Sequence, residues 1–474
     1  MRGAPDRVGT GAAVDAAVAA GFLVLAVLLG QHGFYHVDGQ GLVLGLARAE
    51  VHHDRHPLFL PIARVLAAPL LALGVSPFRC LTLVSALGTA CGLFALGRAA
   101  ARLAVPARER AVLLLAIAAC PSVLFFATVV EFHGLFLAFA ALAWRAAVGL
   151  ERWLAQPDGS AVEAGRRRGR VLGAGAVLGV ATAVAAMVHG FGQLLIVVLP
   201  CWVVARRGRD WRGALAPLAV ACATHVALGL AVSVASGGAG GRQLGYFAPF
   251  LADLAPVREL AAGLVDEWLL AFLPLSLTCF LVAGRARERL VLGLAVAGYL
   301  VLTWILTPGL SERGAYLHPL VFPAAVLALA SPRRLLLVLV AAGLALGVLR
   351  VRSHDAPVAG VGSMQAVVAV AEERPSFLLL ASSAEEDPLL MVRPALPYLR
   401  VAEFLATMPA GGRAEAVHAL LARLSSDQAG LDRRLLATRA ALEALQAATG
   451  EVGSERLGAL RVEVRRAGVV ELRP

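Results

Sequence analysis

The sequence predicts an all-α polytopic membrane protein with about eleven transmembrane helices, ending in a small soluble α/β domain. Three observations carry this prediction. Of the 474 residues, 59% are hydrophobic and only 16% charged, whereas a soluble domain is about half apolar and about a quarter charged. Apolar runs of roughly 18 residues or more recur from Ala12 to Leu349, each long enough to cross the hydrocarbon of a bilayer. They lack the apolar–polar alternation of membrane β-barrel strands. After about Arg352 the composition changes: charges mix with apolar residues and no spanning run follows.

In chain order, the first span covers 12–31. Arg2 and Arg7 precede it, and Gly30-Gln31-His32 is a poor cleavage site, so an uncleaved helix is expected. A polar loop over 32–56 holds Asp38, Glu50, His52, His53, Asp54 and Arg55. Residues 57–75 are apolar but interrupted by Pro57, Pro61, Arg64 and Pro69, which predicts an amphipathic or re-entrant segment. Further spans are expected over 79–97, up to Glu131, and over 132–150, 171–188, 190–205 and 213–235. An eighth ends before Arg285, a ninth at Pro308 and a tenth runs from about Tyr316 to Arg333. The last covers 335–350.

Charge sets the orientation. All 43 basic residues are arginine, with no lysine and no asparagine, a bias expected from a GC-rich bacterial coding sequence. The net charge of +11 does not point to nucleic acid, because the arginines cluster in short loops between apolar runs. Alternate loops are arginine-rich: Arg98 to Arg110, Arg152 to Arg170, Arg206 to Arg212, Arg285 to Arg289, and Arg333-Arg334. By the positive-inside rule the N-terminus is cytoplasmic, and the loops holding Asp38, Glu131, His189, Arg242 and Arg313 lie outside with the tail. The expected organisation is a transmembrane domain over 1–351, with external loop 32–56, and an extracytoplasmic soluble domain over 352–474, in a bacterial cytoplasmic membrane.

Within the tail, Ser376 to Ala381 reads as a buried strand, and Leu460 to Val464 and Val469 to Leu472 alternate as strands do. Ala414 to Ala447 reads as a helix or helical pair. The tail carries no nucleotide-binding glycine motif, metal cluster or nucleophile elbow. The six cysteines form no CxxC pair and read as small buried hydrophobes.

Two acids stand out. Asp38 follows the first helix in His36-Val37-Asp38-Gly39, and Glu131 sits at a tight break in Thr128-Val129-Val130-Glu131-Phe132-His133. A carboxylate in or beside hydrocarbon is costly, so it faces a polar cavity and has a use. The arginine pattern puts both on one side, which suggests a catalytic face. Each candidate also has a plainer explanation. Asp38 can cap a helix, and Glu131 can be stabilised by a helix dipole. His56 can pack beside Pro57, His133 can bond locally, His189 can serve a helix end, and Arg313 can pair with Glu312. Tyr246, Phe247 and Phe250 read as an interfacial helix. A divalent metal at His52, His53 and Asp54 is the one metal site to weigh, and adjacent histidines do not share a helix face, which counts against it.

The order of these motifs resembles the GT-C superfamily of membrane glycosyltransferases, in particular the bacterial branch related to protein O-mannosyltransferases. That branch has an Asp-Ser-Gly stretch, a helix and a His-Pro-Pro-Gly-Tyr-Pro-Leu-like run. The counterparts here are Asp38-Gly39-Gln40-Gly41, then Leu42 to Ala49, then His56-Pro57-Leu58-Phe59-Leu60-Pro61. Its Glu-Val-Tyr-Ala-Leu-like motif corresponds to Glu131-Phe132-His133-Gly134-Leu135, and its Arg-Tyr-Leu-x-Pro-like run to Arg313-Gly314-Ala315-Tyr316-Leu317-His318-Pro319. Two departures are visible: Gly41 stands near a position where the family often carries a second acid, and the doubled proline is absent.

The resemblance implies an inverting transfer from a polyprenyl-phosphate sugar on the outer membrane face, to an acceptor that it does not specify. It implies catalytic roles for Asp38 and Glu131, and substrate binding by His56, His133, Arg313 and Tyr316. The partners are the lipid-linked donor and membrane lipids, with no nucleic acid. Such chemistry needs a base for the acceptor hydroxyl, which a partly desolvated carboxylate supplies. Arginine matches the leaving phosphate, here Arg313, alone or with Arg242 or Arg258. A transporter or flippase would instead show mid-helix ionisable residues and paired broken helices. A non-catalytic assembly protein would work through its tail.

Overall fold

The computed structural model describes residues 8–35, 37–49, 56–156, 161–235, 263–281, 285–306, 313–355, 358–408, 413–430, 433–457, 461–464 and 469–473. The chain divides into two compact units. One comprises Met1–Gln31, Val51–Ala68 and Leu81–Asp355, and the other His32–Glu50, Pro69–Cys80 and Ala356–Pro474.

The first unit is helical. Among the described residues, six stretches are long and apolar enough to cross a bilayer: Gly11–Leu28, Pro77–Arg102, His133–Leu154, Gly165–Val188, Gly190–Val232 and Arg333–His354. Large aliphatic side chains such as Leu28, Leu230, Val338 and Leu349 point outward, as the lipid-facing side of a multi-pass protein does. Elsewhere the apolar runs are broken by proline. The third expected span divides into Ala107–Ala118 and Pro121–Phe126, because Pro121 has no N–H for a continuous ladder and instead opens the second helix. The segment expected to be amphipathic or re-entrant contains the 14-residue helix Phe59–Ala72, with Pro69 inside it.

Two backbone contacts place the break that carries Glu131. A Cβ on Gly134 would lie 2.3 Å from the Ser85 carbonyl oxygen, and one on Gly88 would lie 2.7 Å from the Leu135 Cα. Helices Pro77–Arg102 and His133–Leu154 therefore touch backbone to backbone, as membrane helices do where small residues face each other. The non-helical stretch before His133 is tied down by polar groups. Gln31 donates its backbone N–H to the Thr128 carbonyl at 3.0 Å and its side-chain amide to the Thr128 hydroxyl at 3.2 Å. The Ser85 hydroxyl donates to the Glu131 carbonyl at 3.1 Å.

At the other end of the first helix, Val8–Leu28, lies a buried charge cluster. Asp15 accepts from Arg98 at 3.1 Å and from Arg110 at 3.0 Å. Asp15 and Leu28, the last residue of the helix, are about 20 Å apart at 1.5 Å per helical residue. The arginine-rich turn and the Glu131 break thus occupy opposite ends of this helix.

The second unit contains a five-stranded sheet of order β2-β1-β3-β5-β4, formed by β1 (Ser376–Leu380), β2 (Tyr398–Arg400), β3 (Arg434–Thr438), β4 (Arg461–Val464) and β5 (Val469–Arg473). β1 pairs in parallel with β2 and β3, while β5 runs antiparallel to β3 and β4. The period-two alternation of strands splits the core. Leu379, Leu435 and Ala437 pack on one face with Val417, Leu421, Ala441 and Leu445. Leu378, Leu380 and Leu436 pack on the other with Met364, Val367 and Leu389. Helices Arg413–Gly430 and Arg439–Leu457 match the helical reading of Ala414 to Ala447 only in part. Strand β3 lies between them, because the short apolar run Leu435-Leu436-Ala437 fits a buried strand as well as a helix until sheet pairing decides.

Residues 32–50 belong to this unit. The Gln40 amide donates to the Asp387 carboxylate, and the Arg48 guanidinium lies 6.0 Å from the centre of the Tyr398 ring. Helix Val37–Ala47 is therefore held by residues of the tail.

Candidate active site

Glu131 is 4% exposed, set in the break between Pro121–Phe126 and His133–Leu154. His133 opens the second of these helices, and its ring lies 4.7 Å from Phe126. His56, just before the helix Phe59–Ala72, stacks on His189 at 4.8 Å with rings 18° apart and lies 4.0 Å from Phe132. His189 in turn lies 4.8 Å from His133 and 5.6 Å from Tyr316. Tyr316 stacks on Phe191 at 4.0 Å with an interplanar angle of 12°. Four expected site residues (His56, Glu131, His133 and Tyr316) thus fall in one buried region of the first unit, although they come from three separate stretches of chain.

Arg313 joins them through aromatic contacts. Its guanidinium lies 4.6 Å from the centre of the Phe125 ring. Phe125 packs edge-on to Phe126 at 5.2 Å, which leads to His133. Arginine over an aromatic face keeps a planar edge of N–H donors for an anion. Arg313 and Gly314 both adopt positive φ, +50° and +79°, and this left-handed turn starts the short helix Ala315–Leu320 that carries Tyr316 and His318.

Three residues of this region were passed over in the sequence reading or assigned no site role. His189 is the helix-end residue expected, since its ring nitrogen accepts from the Phe191 N–H at 3.3 Å, but its ring also lies between His56, His133 and Tyr316. His318 is 1% exposed and its Nε2 lies 2.9 Å from the Ser122 hydroxyl. Glu267 accepts backbone N–H bonds from Arg313 and Gly314. An acid within an apolar run was the signal available for Glu267, the same one that singles out Glu131.

Asp38 lies in the second unit. It is exposed and sits in the first turn of helix Val37–Ala47, where a carboxylate is favoured by the helix dipole. His52, His53, Asp54, Arg242, Tyr246, Phe247, Phe250, Arg258 and Glu312 lie outside the described residues. Among the described residues, no group of three or more histidine, cysteine or acidic side chains is arranged to hold a metal.

No family model and no curated protein sequence matches the chain. In structure it is similar to ArnT from Cupriavidus metallidurans. The apo crystal structure of that protein aligns with a TM-score of 0.53 at 14% identity, over 97% of this chain and 97% of that one. The chain has a GT-C fold. The crystal structure of the same ArnT bound to undecaprenyl phosphate aligns with a TM-score of 0.49 at 14% identity, again over 97% of both chains. The likeness takes in the C-terminal segment as well as the helices. It is a likeness of fold, and it does not single out the O-mannosyltransferase branch.

The first unit brings together side chains of complementary chemistry. A buried carboxylate can receive a proton, an arginine can hold a phosphate, and imidazole and phenol groups can orient a sugar or shuttle a proton. Aromatic rings pack around the same side chains, and a polar interaction is stronger where water is kept out.

Proposed function

We propose that this protein is an integral glycosyltransferase of the bacterial inner membrane. It takes a sugar from a polyprenyl-phosphate donor and passes it to an acceptor on the extracytoplasmic face. One observation carries the proposal: His56, Glu131, His133, Arg313 and Tyr316, drawn from distant parts of the sequence, gather in one buried region of a GT-C fold. In this reading Arg313 binds the donor phosphate, His56, His133 and Tyr316 line the sugar site, and Glu131 is the acid–base group. Asp38, in the first turn of helix Val37–Ala47, is the second candidate carboxylate.

The arginine-rich loops orient the chain, with a cytoplasmic N-terminus and a soluble domain over 352–474 outside. The transporter alternative predicts ionisable residues in the middle of spans. Glu131 instead lies in the break before the helix His133–Leu154.

The test is a profile of lipid-linked sugars in a deletion strain. Accumulation of one polyprenyl-phosphate sugar, cleared when the gene is restored, supports transfer. An unchanged set of lipid intermediates contradicts it.

A further inference from the structure

Glu267 lies in the π-helical stretch Leu264–Leu270 and is 5% exposed. A carboxylate so buried is costly unless its oxygens are satisfied. Here one oxygen accepts the N–H of Arg313 at 2.9 Å and the other the N–H of Gly314 at 2.5 Å. The carboxylate therefore spans two successive amides of the left-handed turn. A non-glycine residue at positive φ, such as Arg313, is uncommon without such support.

The turn also packs hard onto the Glu267 helix. A Cβ on Gly314 would lie 2.6 Å from Phe272, 2.7 Å from Ala271 and 2.8 Å from the Glu267 carbonyl oxygen. Next to Glu267, Asp266 accepts from Arg350 at 2.7 Å, which joins the same stretch to the helix Arg333–His354. The Glu267 carboxylate thus grips the main chain of Arg313, and the Arg313 guanidinium is turned onto the Phe125 ring.

From this geometry we infer that Glu267 is a positioning residue: it fixes the Arg313 turn so that the guanidinium meets the phosphate of a polyprenyl-phosphate ligand. The inference rests on the glycosyltransferase reading for the identity of that ligand. Glutamine at 267 keeps the size but replaces one acceptor oxygen with an NH2 group, which cannot accept an amide N–H. The turn then loses one of its two bonds, and the arginine loses its fixed direction.

The experiment uses the full-length protein in lipid nanodiscs, with undecaprenyl phosphate as the binding probe. Consumption of a polyprenyl-phosphate sugar is followed in parallel, in membranes of the deletion strain. Glu267→Gln is expected to weaken probe binding and raise the donor KM roughly ten-fold, with kcat changed by less than about three-fold. Arg313→Ala should weaken both at least as much, and the double variant should be no worse than Arg313→Ala alone, because the two act through one contact.

Additive losses, or a Glu267→Gln protein that binds the probe like the parent, would overturn the inference. So would a fall in kcat and thermal stability with donor KM unchanged. If the parent binds the probe but transfers nothing, the glycosyltransferase reading fails and the positioning role is judged on binding alone. If the parent does not bind the probe, both fall.

Discussion

Glu131 and Asp38 belong to the same class of residue in the sequence, yet their surroundings differ sharply. Glu131 is buried in the helical unit, with Ser85 bonded to its carbonyl and with histidines and phenylalanines nearby. Asp38 is exposed on an 11-residue helix that Gln40, through Asp387, ties to the C-terminal tail. A motif comparison weights the two equally. In the structure one is framed by the apolar helices of the first unit and the other by residues of the C-terminal tail.

Six substitutions sharpen or break this comparison. The largest effect is expected at Glu131, where Glu131→Gln should lower transfer by about 10²–10⁴-fold, the range for a lost acid–base group, at unchanged membrane level. Asp38→Asn should fall at the lower end of that range, about 10²-fold. A loss below three-fold would leave Asp38 as an ordinary helix-start residue.

Asp15→Ala should spare the site chemistry but cost about 3–5 kcal/mol of stability, because Arg98 and Arg110 lose the buried carboxylate they share. A thermal melt in detergent reads that loss. Gly134→Ala should cost about 1–3 kcal/mol by forcing apart two helices in backbone contact, with Ser85→Ala much milder.

The smallest effect concerns pH. Burial raises the Asp387 carboxyl above its usual range, with the Gln40 hydrogen bond opposing that shift. The folded state then holds its proton more tightly than the unfolded state. This contribution to stability is full below the ordinary carboxylate range and is lost as pH rises through the raised value. Asp387→Asn should flatten that slope in thermal melts taken across acidic to neutral pH, and a slope unchanged by the substitution would exclude Asp387 as its source.

Much of this was legible in the sequence, for local reasons. The long helices announce themselves as apolar runs, and β1, β4 and β5 as short strands of the tail. Glu131, His56, His133, Arg313 and Tyr316 were marked by motif order. Long-range partnerships were not legible. Asp15 meets Arg98 and Arg110 across 83 and 95 residues, and Glu267 meets Arg313 and Gly314 across 46 and 47. Strand β3 was hidden because its apolar run is too short for periodicity to distinguish helix from strand. Asp15 and Glu267 obey the rule that picked out Glu131, an acid placed where hydrocarbon or a packed core makes it costly. Applied to every apolar run, that rule would have flagged both.

The sharpest measurement compares lipid-linked sugars in a deletion strain carrying either the parent gene or Glu131→Gln, at equal membrane levels. The strain without the gene should accumulate a polyprenyl-phosphate sugar, the parent should clear it, and Glu131→Gln should leave it in place. Clearance by Glu131→Gln at the parental rate would show that the buried helical region around Glu131 is not where the sugar is transferred.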